Sequence, residues 1–335
     1  MSAGNFDCGK LIEIKVKADQ VWADNMATSE FKAEVDALNT IISNQRGFNL
    51  VQLQDMEKDN TVKVSWLNDC AEGEVDDCSD ECTVSGNEIG DDCKTYELDI
   101  CKEISFKVAE KKWRGSIWSK EEVIARAMLS KMKQLEENIV QTVVAKLDTY
   151  TGVNQELGGY SFVGTDTVIP AAHWTPAMFA YLTRVAIKNR MRDAYILSGS
   201  NLFDMAQMAA WNSGNADGKG AQAAITSMPK YFDLFNIDSV LGERKTFLIR
   251  PSAVAFVNKN YYGSAPVEFK GKAAQIRYSV PSNNLSGVTF DVIYDTECTS
   301  NEIYHKWRLM FKGALLLNPA SCDGERKGVL SFVCE

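Results

Sequence analysis

Residues 119–148 read SKEEVIARAMLSKMKQLEENIVQTVVAKLD and carry the longest helical pattern in the chain. Ser119 and Glu122 make the S-x-x-E pattern of a capping box, in which a hydroxyl and a carboxylate satisfy amides left unpaired at a helix start. Behind it come Val123 and Ala127, then Ile124, Met128, Met132, Leu135, Ile139, Val143 and Leu147. They recur at helical spacing and share one face. Glu122 and Arg126 are placed for a favourable i,i+4 ion pair. Gly152 supplies a stop. The pattern predicts a helix about 40 Å long, far beyond the three turns of an average globular helix. Its methionines lie on the apolar stripe, so they are packing residues and not a cofactor site.

Upstream, residues 11–17 (LIEIKVK) alternate apolar and polar, the period of a half-buried strand. Over 29–43, Phe31, Val35, Leu38 and Ile42 are spaced to share one face of a helix. Residues 61–67 (TVKVSWL) alternate again, and 96–109 (YELDICKEISFKVA) read as a longer returning strand. Between them, acidic residues outnumber the single lysine, Lys94, by about ten to one. The run includes Glu72, Glu74, Asp76, Asp77, Asp80, Glu81, Asp91 and Asp92. Such a segment is solvated or faces a basic partner. These pieces predict a two-stranded arm with an acidic tip. A lone hairpin is marginal in water, so the arm must lie on another lobe or another copy of the chain. The tip carboxylates are the candidate assembly contacts.

Downstream, 153–170 reads as a loop hinged at Gly158 and Gly159. Thr175 as N-cap and Pro176 at the first helical position open a helix over 178–191. Residues 193–199 (DAYILSG) and 246–251 (TFLIRP) read as buried strands, 202–211 as a helix, and 252–260 as a short helix. AAQIRYSV (273–280) and VTFDVIYDT (288–296) read as strands, so 165–295 is a mixed α/β lobe. Trp307, Leu309 and Phe311 alternate within 304–319, and 329–333 closes the chain as a strand.

At 335 residues, 45% apolar and 24% charged, the chain suits two or three folded lobes. Its net charge of −9 and lack of a Lys/Arg cluster argue against avid DNA binding, although enclosing DNA requires no attraction. No stretch has the length and apolarity of a membrane helix. The start, MSAGNFDCGK, lacks a signal-peptide core, and Cys8 lacks a lipoprotein signal. Synthesis in a cytoplasm is expected, with no membrane partner.

Chemistry-bearing residues are sparse. His173 falls in a loop and His305 in a strand-like run, with no convergent groups to make a site. GNADGKG (214–220) has three residues before its Gly-Lys and no following Ser or Thr, so it fails as a phosphate loop. The nine cysteines are an odd number, so at least one stays outside any intrachain disulfide. Cys78 and Cys82 have the spacing of half a zinc site, and the other half is missing. Cys70, Cys78, Cys82 and Cys93 are candidate metal ligands or candidate disulfide partners, and free thiols are a third reading. Carboxylates of the tip could meet Ca²⁺, but the D-x-[DN]-x-[DN]-G loop is absent. The expectation is a protein that is not an enzyme and holds no cofactor.

The order of these segments resembles the major capsid proteins of tailed phages, the Hong Kong 97 fold, shared by encapsulin shells. The segments most similar to that family are KKWRGSIWSKEEVIARAM and TFLIRPSAVAFVNK. The resemblance implies an α+β subunit with an N-terminal arm (1–59) and an extended hairpin loop (60–112). A peripheral domain (113–165 and 292–335) would carry the spine helix 119–148, beside an axial domain (166–291). It implies self-assembly into hexamers and pentamers of an icosahedral shell around double-stranded DNA, in a virion assembled in a bacterial cytoplasm. Portal, scaffolding and decoration proteins would be its partners. No N-terminal scaffolding segment is evident, and the family's Lys–Asn cross-link finds no matching residues. An encapsulin-like compartment, or a Cys-rich metal- or ligand-binding protein, are the alternatives.

Overall fold

In the computed structural model the long helix runs from Lys120 to Thr149, 30 residues. The Ser119 hydroxyl accepts the Glu122 amide at 3.2 Å, and Arg126 pairs with Glu122 one turn on. The structure describes residues 7–25, 30–52, 60–67, 91–113, 117–156, 158–191, 193–212, 228–269, 275–299, 302–318 and 328–335. The chain opens with α1 (Cys8–Asn25), α2 (Asp36–Asn44), β1 (Phe48–Gln52), β2 (Thr61–Leu67), β3 (Asp91–Glu97) and β4 (Ile100–Ala109). The long helix is α3. Then follow β5 (Ser161–Val163), β6 (Asp166–Ile169), α4 (Ala177–Lys188), β7 (Tyr195–Ser198), α5 (Ser200–Asn212) and β8 (Lys230–Phe232). The chain continues with α6 (Leu234–Leu241), β9 (Lys245–Ile249), β10 (Val254–Asn258), β11 (Val267–Glu268) and β12 (Ile276–Pro281). Three long strands end it: β13 (Thr289–Thr299), β14 (Glu302–Leu317) and β15 (Val329–Cys334).

Two compact units share these elements. The first takes Met1–Val35, Leu98–Thr142 and Val257–Ala314. Its sheet runs β10-β14-β13-β12-β11, with β4 also on β14. One face of the sheet is aromatic: Trp307 lies opposite both Phe106 and Tyr294, stacking on Phe106 at 5.1 Å. Trp307, Tyr294, Tyr278, Phe290 and Phe311 are fully buried. Each such side chain contributes roughly 1.5–3 kcal/mol by leaving water. Ala18, Val21 and Phe31 pack with Ala125 and Leu129 of α3.

The second unit takes Asp36–Glu97, Val143–Phe256 and Leu315–Glu335. Its larger sheet has the order β5-β6-β15-β9-β7-β8, and β1-β2-β3 form a separate antiparallel sheet. Phe179, Leu182 and Val185 of α4 and Leu202 of α5 bury their apolar faces with Ile196, Leu248 and Phe332 of the sheet. Asp233 joins two helix starts, since its carboxylate accepts the Asn236 amide of α6 and the Ala37 amide of α2, both at 2.9 Å. Lys245 sits between Asp148 and Asp166, 2.7 and 2.8 Å away.

Several expectations are corrected. Residues 11–17 are helix, not strand. The buried positions Leu11, Ile14, Ala18 and Val21 keep helical spacing, while Ile12 and Val16 stay about half exposed. The helix expected over 29–43 begins only at Asp36. Phe31, Ala33 and Val35 are buried at alternating positions in the non-helical segment ahead of it. Residues 96–109 split into two strands at Leu98–Asp99. β3 pairs with β2, β4 pairs with β14, and β1 adds a third strand to the arm. The loop 153–170 contains the β5–β6 hairpin, turned at Gly164 with φ +65°. Residues 252–260 hold strand β10 (Val254–Asn258) and no helix. Val254, Ala255, Phe256 and Val257 are all buried, and an all-apolar run has no period to separate strand from helix.

Candidate assembly surface

Strand alternation gives the sheet of the first unit a second face, opposite the aromatic one. Ser105, Arg308, Ile293 and Arg277 form one cross-strand row on it. Lys107, Lys306 and Asp295 form the next. A depression of about 540 Å³ opens here, lined by Ser105, Lys107, Ile293, Asp295, Lys306 and Arg308 among others. Lys306 pairs with Glu297, and Arg308 lies 3.8 Å from Glu103. Lys107 stands 4.9 Å over the Tyr304 ring. The Arg277 guanidinium stacks 3.6 Å from the centre of Phe269 and donates to the Gln275 side chain at 2.9 Å.

A second polar cluster lies in the same unit. Glu136 of α3 is fully buried. Its carboxylate accepts from the Ser282 hydroxyl and, at 2.6 Å, from the Asn284 amide. Asn284 also grips the N-terminal segment, accepting from the Ala33 amide at 3.1 Å and donating to the Phe31 carbonyl at 3.3 Å. Burial pushes the Glu136 pKa above the usual carboxylate value, against the opposing pull of these hydrogen bonds. The sequence reading missed this residue. The signal was a carboxylate in line with Met132 and Val140, four residues either side on the apolar stripe.

Neither the protein-family models nor the curated proteins compared give a match to the chain. Solved structures do. The capsid asymmetric unit of cyanophage A-1(L) aligns over 91% of this chain and 93% of its own, with a TM-score of 0.53 at 12% identity. The chain shares the fold of that cyanophage capsid subunit. A structure from Mycobacterium phage Adephagia (12% identity, 88% and 89% covered, TM-score 0.46) and the Staphylococcus phage Andhra capsid (10%, 90% and 85%, 0.44) are also similar.

Both histidines lie beside aromatic rings. His305 is 1% exposed, shares a 2.7 Å hydrogen bond with the Tyr294 hydroxyl, and stacks beside Tyr294 and Trp307. Burial, with nearby Lys120, lowers its pKa to about 4. His173 lies in a short 3-10 turn beside the Tyr160 ring. Glu72, Glu74, Asp76, Asp77, Asp80 and Glu81, with Cys70, Cys78 and Cys82, lie outside the described residues, as does 214–220. Asp91, Asp92 and Cys93 lie in β3, opposite Leu67, Trp66 and Ser65. Among the described residues, no group of three or more His, Cys, Asp or Glu side chains could hold a metal. Cys8, Cys101, Cys298 and Cys334 are free thiols. No helix is long and apolar enough to cross a membrane among the described residues.

Proposed function

We propose that the chain is a structural protein, the major capsid subunit of a tailed phage. It assembles with copies of itself into hexamers and pentamers of an icosahedral shell enclosing double-stranded DNA. The observation that carries this reading is the fold likeness to a capsid asymmetric unit over nine-tenths of both chains. In this reading residues 1–59 are the arm and 60–112 the extended loop. The peripheral domain with α3 and the axial domain 166–291 complete the subunit. The acidic residues Glu72–Asp92 are assembly contacts, and Cys70, Cys78, Cys82 and Cys93 stiffen the loop as disulfides. Portal, scaffolding and decoration proteins join the shell in the bacterial cytoplasm. DNA is held by containment, since a net charge of −9 gives little attraction for phosphate.

Function then comes from geometry and buried area instead of catalysis. Ring contacts are heterologous, and the rotation between neighbours sets closure. Electron microscopy of the purified full chain tests the reading. Closed shells hundreds of Å across are expected. A chain that stays monomeric across protein concentration and salt, with or without a scaffolding partner, would overturn it.

A further inference from the structure

We propose, resting on the capsid reading above, that the hydroxyls of Tyr96 and Tyr150 latch onto the end of β14 and fix the direction of the β2–β3 ladder. Both tyrosines are then positioning residues for the size of the assembled shell. The ladder of β4 with β14 ends at Ile100 opposite Gly313. Leu315 and Leu317 lie two and four residues further along β14, so their carbonyls point to that same edge. Tyr150, just past the end of α3, donates to the Leu315 carbonyl at 2.7 Å, and Tyr96 of β3 donates to the Leu317 carbonyl at 3.2 Å. Two phenols thus stand where the amides of a further strand would.

Tyr96 lies opposite Val62 in the ladder and so shares a face with Val62, Val64 and Trp66. Those three are at most 1% exposed. A single copy of the chain buries them, so the root of the ladder is seated within its own subunit. Phe48 of β1 packs on Trp66 with ring centres 5.7 Å apart. Burial raises the Tyr96 pKa, opposed by Trp66 and reinforced by Tyr150, so the phenol stays protonated and a donor at neutral pH. Apolar burial has no preferred direction, whereas a hydrogen bond favours one line. The valines and Trp66 therefore hold the sheet down, and the two hydroxyls choose its angle. From the Val62–Tyr96 pair to the Leu67–Asp91 pair the ladder runs about 17 Å. A tilt of about 10° at the root moves that far end by about 3 Å. Closure of a ring depends on the rotation between neighbours, so a loosened root spreads the angles at which copies meet.

The test uses the full chain carrying Tyr96→Phe and Tyr150→Phe, which keep both rings and remove both hydroxyls. In the dissociated double variant, amides of 61–67 and 94–97 should exchange with solvent about tenfold faster, because two hydrogen bonds are lost, with β15 unchanged. Assembled, the double variant should still give shells, with the spread of diameters in electron micrographs roughly doubled or more. Val185→Ala opens a cavity in the α4 core. It lowers stability without touching the latch and should keep the wild-type spread. Unchanged exchange, or a wild-type spread from the double variant, overturns the latch. An equal spread from Val185→Ala overturns it too, by tracing the effect to stability alone. So does loss of all shells from the double variant while Tyr96→Phe alone keeps the wild-type spread. Absence of shells from the wild-type chain sinks the capsid reading itself. Shells of one size from wild-type and variant chains alike sink only the latch.

Discussion

Two buried titratable residues in the first unit have opposite pH signatures. His305 has its folded pKa lowered to about 4, below the unfolded value of about 6.5. The unfolded chain therefore binds this proton first. Stability from His305 is complete above the unfolded pKa and declines as pH falls from about 6.5 toward 4. The decline amounts to about 1–3 kcal/mol. Denaturant melts at several pH values should show this slope, and His305→Gln, which can still accept from Tyr294, should flatten it; an equal slope in the variant would refute the assignment. Glu136 runs the other way. Its pKa is raised, so the folded chain takes up the proton first and this residue adds stability as pH falls through its folded pKa. Glu136→Gln removes the charge and keeps one of the two acceptors that Ser282 and Asn284 donate to. At neutral pH it should lose less than about 1 kcal/mol, because relief of a buried charge offsets the lost acceptor. Glu136→Ala leaves Ser282 and Asn284 unanswered and should lose about 1–3 kcal/mol, measured by the same melts. Equal losses from both variants would show that the charge, not the hydrogen-bonding network, is what matters.

At the scale of elements, close packing sets limits that side-chain chemistry does not show. Gly313 lies within β14, and a Cβ there would meet the Val257 carbonyl oxygen and the Phe311 ring, both at 2.6 Å. The carbonyl cannot swing aside as a side chain would, so β10 and β14 would have to part. Gly313→Ala should lose about 1–3 kcal/mol; a melting temperature matching wild type would show that the strands yield freely. The elements legible from sequence were those with one clear period and a cap. α3 had both, and β2, β7, β9 and β12–β15 had alternation or apolar runs bounded by turn residues. The missed ones have physical reasons. LIEIKVK satisfies strand and helix periods together, and only Ala18 and Val21 beyond it break the tie toward helix. The run at β10 is buried on both faces, so its pattern is silent. The end of the arm strand was misplaced because β4 pairs with β14, about 200 residues away, and no local pattern reports such a partner. The cationic face was illegible for the same reason. Lys107, Arg277 and Lys306 meet only through sheet register.

At the scale of the whole molecule, the acidic excursion is separable from the fold that carries it. Leu67 and Asp91 are paired at the mouth of the β2–β3 ladder, so the chain ends flanking 68–90 lie one strand spacing apart, about 5 Å. A two-residue Asn-Gly turn spans that gap and favours the twist of a hairpin. β1 and the rest of β2 and β3 keep their pairing when the excursion is replaced in this way. The expected product is a subunit with an unchanged circular dichroism spectrum and a melting temperature within a few degrees of wild type. It should fail to form stable shells in electron micrographs, because the carboxylates that would meet a neighbour are gone. Salt should act on wild type in the same direction. Exposed charges are screened beyond about 10 Å at 0.1 M ionic strength, so assembly should weaken as salt rises if the excursion binds by charge. Normal shells from the shortened chain would mean that subunits cohere through the sheets and α3 alone, with the acidic tip left as a solvated ornament on the particle surface.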